Sequence, residues 1–171
     1  MNGIVSHLMV AVFTLLTISC YSDETQEQST LSYMDININI GGKTLPIHLI
    51  DNVTTRKLAE ALKQSPVTYY ADDYGGFEKV GSLGLSLPTD NSQITTEKGD
   101  VILYGSNQIV LFYGSNSWNY TRLGRIEYQS FEELKDFLKA GQGRIRVTLS
   151  VANTCGISQS LDDSTSKRRT P

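Results

Sequence analysis

The sequence predicts a mainly β protein, a closed antiparallel barrel of about eight strands with two helices. Three observations carry this. Apolar residues alternate with polar ones at both ends of the folded part, from Met34 to Leu49 and from Arg144 to Val151. Strand-like runs outnumber helical ones and come in pairs joined by glycine turns. Such an inventory leaves many exposed strand edges unless the sheet closes on itself.

The first element is a hairpin. Met34, Ile36, Ile38 and Ile40 alternate with Asp35, Asn37 and Asn39, and after Gly41-Gly42 the alternation resumes at Leu45, Ile47 and Leu49. Asp51-Asn52 then supplies helix-capping chemistry, and Arg56 to Gln64 places Leu58, Ala61 and Leu62 on one face. Pro66 stops that helix, because the residue before a proline resists the helical region. Val67 to Ala71 reads as a short strand. Asp72 to Asp90 reads as an ordered loop, glycine-rich but carrying Tyr74, Phe77, Leu83, Leu85 and Leu87. Val101–Tyr104 and Gln108–Tyr113 form a second strand pair around Gly105-Ser106-Asn107. Gly114 to Asn119 reads as another loop, and Leu123 to Tyr128 as a strand. Ser130 and Glu133 have the spacing of a capping box at the start of a helix with Leu134, Phe137 and Leu138 on its buried side. Gly141 and Gly143 end it. Arg144 to Val151 is the last strand.

The termini read differently. Leu8 to Ile18 is LMVAVFTLLTI, too short for a membrane span and of the length of a signal-peptide core. Ser19-Cys20 follows directly and resembles a bacterial lipobox. The expectation is a lipoprotein signal peptide over 1–20 with Cys20 as the lipidation site. Thr17 and the absence of Lys or Arg from the first seven residues depart from the usual pattern. Secretion without lipid and an uncleaved anchor therefore remain alternatives. Residues 21–32 read as a flexible tether. Its Ser22-Asp23-Glu24 resembles the acidic signal that sends some lipoproteins to the outer cell surface, and equally suits an ordinary solvated linker. The barrel domain is placed at 33–151 and a disordered polar tail at 152–171. With Cys20 acylated, Cys155 is a lone thiol.

Composition excludes some classes. The chain has 171 residues and a net charge of -3, without the basic footprint of a nucleic-acid binder. The histidines are His7 and His48, so the mature chain shows no triad spacing or metal-ligand cluster. The expected partners are the membrane, through the lipid, and a peptide, glycan or protein ligand.

A series of segments resembles the bacterial cyclophilin-like domain family, a divergent relative of the prolyl isomerases. It runs from Asp51-Asn52 through Asp73-Tyr74-Gly75-Gly76-Phe77-Glu78-Lys79-Val80-Gly81 and Leu87-Pro88. It continues with Gly99-Asp100, Leu103-Tyr104 and Leu111-Phe112-Tyr113, and ends on Tyr120-Thr121-Arg122-Leu123-Gly124-Arg125-Ile126. The resemblance implies an eight-stranded barrel with two helices. It implies no settled activity, and the Phe, His, Arg and Gln constellation of true cyclophilins has no counterpart here. Relatives fused to flavodoxin-like domains exist, but this chain has no phosphate-cradling loop, so no cofactor is expected.

The candidate ligand-binding residues are Tyr74, Phe77, Glu78, Trp118, Tyr120 and Arg122, with no catalytic or metal-ligating set. They lie in two long irregular stretches, Asp73–Leu87 and Gly114–Arg122, where aromatic rings stand beside charges. A small barrel is filled by its own side chains, so a cleft belongs at its end or flank. The reading is an envelope-anchored binding module. The alternative is a divergent prolyl isomerase with Arg122 polarising the prolyl nitrogen.

Overall fold

The computed structural model describes residues 35–152. The segments expected to be a signal peptide and a tether, with Cys20, and Cys155 with almost all of the expected tail, lie outside the described residues. Nine strands and two helices follow one another: β1 (Asp35–Ile40), β2 (Lys43–Leu49), α1 (Val53–Gln64), β3 (Val67–Tyr74), β4 (Glu78–Ser82), β5 (Ser92–Thr95), β6 (Asp100–Tyr104), β7 (Gln108–Phe112), β8 (Ser117–Ile126), α2 (Phe131–Phe137) and β9 (Ile145–Val151).

Eight strands close into an antiparallel barrel in the order β2-β1-β9-β3-β4-β7-β6-β8, and β8 returns to β2 through Ile47↔Ile126 and Leu49↔Gly124. The ninth, β5, pairs with the first half of β8 as an extra strand. The barrel with two helices is thus the architecture expected from the alternation.

The barrel interior follows the period of two. Ile36, Ile38, Ile40, Ile47, Leu49, Val101, Leu103, Ile109, Leu111, Val147 and Leu149 are buried in one cluster. Both helices add to it, α1 through Leu58 and Leu62 and α2 through Leu134 and Phe137, with Leu138 just beyond. On α1, Ala59 rather than Ala61 completes the buried face. Asn52 caps that helix by accepting from the Thr55 amide at 2.8 Å, while Asp51 ion-pairs with Arg56 at 2.7 Å. On α2, Ser130 accepts from the Glu133 amide, but Glu133 reaches one residue further back than a capping box requires, to the Gln129 amide at 2.8 Å.

Closure needs a bend in β8. Val101 pairs with Gly124 and Ile102 with Arg122, so Leu123 is an extra residue that bulges the strand. Gly124 then lies against β2 so closely that a Cβ there would run into the His48 carbonyl.

Two expected loops prove to be partly strand. The stretch from Asp72 divides into the end of β3, the three-residue loop Gly75-Gly76-Phe77, and β4. Gly75 and Gly76 both have positive φ, and a Cβ on Gly75 would strike the Phe77 ring. The adjoining stretch that includes Leu83 and Leu87 is irregular and ordered, tied down by their amides donating to Asn107 and Ser106 carbonyls. The second stretch becomes β8 from Ser117 onward, because pairing with β5 satisfies its backbone.

Candidate functional site

The strands β6 and β7 carry apolar residues on both faces, and β4 and β8 flank them. Their inward residues fill the barrel. Outward, Ile102, Val110, Phe112 and Tyr120 form a second buried cluster, packed against Phe77, Val80 and Ile94. This outer layer supports a cavity of about 450 Å³ on the barrel flank. Its walls are Tyr74 from β3, Glu78 and Val80 from β4, Tyr104 from β6, and Gln108 and Val110 from β7. Trp118 and Tyr120 from β8 and the preceding Asn116 complete it.

The two candidate stretches therefore meet, and four of the six candidate residues line one cavity: Tyr74, Glu78, Trp118 and Tyr120. Tyr74 and Trp118 are 67% and 55% exposed. Tyr120 differs from expectation. It lies in β8, not in a loop, and is buried, its ring edge-on to Phe112 at 6.0 Å and to Tyr104 at 6.1 Å. Its hydroxyl accepts from the Asn116 amide group at 2.9 Å. Phe77 does not line the cavity. It stacks on Phe112 at 6.3 Å and an interplanar angle of 13°, so it builds the support beneath. Its carbonyl accepts from the Tyr113 and Gly114 amides, which fastens the β3–β4 loop to the chain after β7.

Arg122 is not at the cavity. It shares the outer face of β8 with Tyr120 but pairs with the buried Asp100 carboxylate at 3.0 Å. Arg125 holds the other oxygen of Asp100 at 3.2 Å. Among the described residues Arg122 stands over no aromatic ring.

Glu78 carries the chemistry of the cavity. Strand pairing sets Tyr74 on one side of it and Phe112 on the other. The residue is only 5% exposed, and among the described residues its Oε2 has no hydrogen-bond partner. A surface ion pair, the plainer role open to this glutamate, is also absent among the described residues. Burial pushes its carboxyl up to about 7, because an unpaired charge is poorly solvated in an apolar wall.

The next residue in β4, Lys79, shows the contrast. It points into the barrel, is fully buried, and pairs with Asp73 at 2.8 Å. Its Nζ also donates to the Gly143 carbonyl at 2.5 Å. Asp73 further accepts from the Tyr113 hydroxyl and from the Gly141 and Gly143 amides. Burial works to raise the Asp73 carboxyl, but these partners outweigh it and hold it below the usual range.

A larger groove of about 630 Å³ runs past His48, Asp100, Arg122, Arg125, Glu127 and Tyr128. Its charges are mutually paired: His48 holds Asp35 at 2.8 Å and Glu127 at 3.0 Å, and Arg125 holds Glu97. The smaller cavity is the better candidate, since it holds the unpartnered buried carboxyl. Tyr104, Gln108, Val110 and Asn116 belong to it without having been singled out as ligand contacts. The signal that points to them is the unbroken apolar runs Val101–Leu103 and Ile109–Phe112, which mark strands covered on both faces.

Comparison with known proteins agrees with this architecture. A profile of the cyclophilin-like family matches residues 38–150, and the chain belongs to that family. Its fold is shared with the solution structure of a hypothetical protein from Archaeoglobus fulgidus, at a TM-score of 0.53 and 20% identity over 70% of this chain and 95% of that one. No curated protein matches.

Proposed function

We propose that the protein is an envelope-anchored, cyclophilin-like binding module that holds its ligand in the aromatic cavity on the barrel flank. The observation that carries this reading is Glu78, a buried carboxyl with an unpartnered oxygen in a wall of aromatic residues. Folding leaves such a group bare at a cost of about 1–3 kcal/mol, and a ligand that pairs with it recovers that loss. The rings of Tyr74, Tyr104 and Trp118 supply broad contact at low entropic cost. Anchoring is read from Leu8–Cys20. Fold alone assigns no activity within this architecture.

The test is titration of the mature protein with short peptides, glycans and small amines, followed by the emission of Trp118, the single tryptophan. Saturable shifts that disappear in Trp118-retaining variants of Tyr74 and Tyr104 support the module. Flat titrations across all three classes overturn it. For the anchor, labelled palmitate enters the wild-type protein and not Cys20→Ala; equal labelling of both rejects the lipidation site.

The isomerase alternative requires an arginine over the ligand, and the pairing of Arg122 with Asp100 argues for the binding role instead. A protease-coupled assay on an Ala-Pro peptide is expected to stay at background. A rate that falls in Arg122→Ala would replace the module with an enzyme.

A further inference from the structure

We propose that the flank cavity takes a ligand bearing an organic ammonium group, held by the Glu78 carboxylate and the rings of Tyr74, Tyr104 and Trp118; this rests on the cavity being the binding site.

The charge decides between ligand classes. Glu78 is the one acidic residue in the cavity wall, and no lysine, arginine or histidine lines it. An anionic ligand would meet a carboxylate and the negative faces of aromatic rings, both repulsive. A hard metal ion needs about six oxygen ligands, and one carboxylate beside rings does not supply them. An ammonium group satisfies both features at once. It pairs with the Glu78 carboxylate in the cavity wall and is attracted by tryptophan and tyrosine faces, which are the residue types that favour organic cations. Val80 and Val110 line the floor and suit the alkyl part of such a ligand.

Among the described residues, the titratable groups around Glu78 come from four strands and from the inner face of its own. Tyr74 faces it from β3, Tyr104 from β6, Tyr113 from the end of β7 and Tyr120 from β8. Burial raises both Tyr120 and Tyr113, the latter to about 12, so these two stay neutral in the working range. Lys79 and Asp73 neutralise each other on the inner face. A cation that pairs with Glu78 must therefore displace its proton whenever the pH lies below about 7. Affinity rises by about tenfold per pH unit up to that point and is flat above it.

The experiment uses the mature protein and measures Trp118 emission and heat of binding at pH 5.5 and pH 8. The probes are tetramethylammonium, butylammonium and an N-acetylated, C-amidated Ala-Lys-Ala peptide, against neopentyl alcohol, butanol and the same capped peptide with norleucine in place of lysine. The cations are expected to bind, about 30-fold more tightly at pH 8 than at pH 5.5, with release of a proton at the lower pH. Glu78→Gln is expected to lose the preference for cations while keeping its circular dichroism. Trp118→Ala, a change at an exposed ring, is expected to weaken the same ligands by calorimetry without affecting the fold. Tighter binding of the amines than of the lysyl peptide identifies a small free amine as the ligand, and the reverse identifies a lysine side chain. Neutral probes that bind as well as the cations at both pH values would overturn the ammonium inference and leave the cavity as a binding site. Silence of every probe in both measurements would overturn the ammonium inference, and the peptide and glycan titrations then decide whether the cavity binds anything.

Discussion

Asp73 and Lys79 face each other across the β3–β4 hairpin with Oδ1 and Nζ 2.8 Å apart, the lysine wholly buried and the aspartate four-fifths so. The next pair along the same hairpin, Tyr74 and Glu78, points the other way and lines the cavity. One turn of chain thus closes the barrel with a satisfied ion pair and opens the candidate site with an unsatisfied acid.

Removing one member of that pair should be severe. Asp73→Asn leaves the Lys79 charge in the barrel without its counter-ion, and the loss is expected to be about 3–5 kcal/mol. Urea unfolding at neutral pH measures it. Because partners hold the Asp73 carboxyl below the usual range, its contribution is present above that range and fades as the pH falls through the lowered value. Asp73→Asn and wild type should therefore converge in acid. A loss under about 1 kcal/mol at neutral pH would show that the pair does not hold the barrel end.

Glu78 gives the opposite sign. Its carboxyl stands at about 7 in the fold against an ordinary 4.5, so the folded state binds the extra proton between those values. Wild-type stability should fall as the pH rises from about 4.5 to about 7, by roughly 2–3 kcal/mol in total, and then level off. Glu78→Gln removes the titration, so the difference between the two proteins should grow over that window. A difference that is the same at pH 4 and pH 8 would contradict the unpaired acid.

Gly124 tests barrel closure. A methyl group there meets the His48 carbonyl on β2, and the strands can accept it only by separating. Gly124→Ala is expected to cost about 1–3 kcal/mol and to speed amide exchange at Ile50 and Glu127, which donate across the contact to the Leu123 and Pro46 carbonyls. An unchanged melting curve would place the tight approach elsewhere.

Much of this architecture is legible in the residues. Alternation in Ile36–Ile40 and Ile145–Val151 gives the strands and their inward faces, and Ser130 and Asn52 mark the helix starts by their side-chain oxygens. The boundaries in glycine-rich segments are less legible, because β4 contains Glu78, Lys79 and Gly81, none of them typical of strands. Their pairing is set by β3 and β7, which sequence distance conceals. Tyr74, Glu78 and Trp118 stand out as rings and a charge among small residues, whereas Tyr120 hides in a strand. Arg122 misleads because its neighbours in sequence are aromatic, while its partner in space, Asp100, comes from another strand.

The most direct measurement is a map of amide and indole chemical shifts on the labelled protein as tetramethylammonium is added at pH 8. The largest shifts are expected on the Trp118 indole and on Tyr74, Glu78, Tyr104 and Asn116, with Asp100, His48 and Arg125 unmoved. Shifts centred on the His48–Tyr128 groove, or no shifts at all, would contradict it.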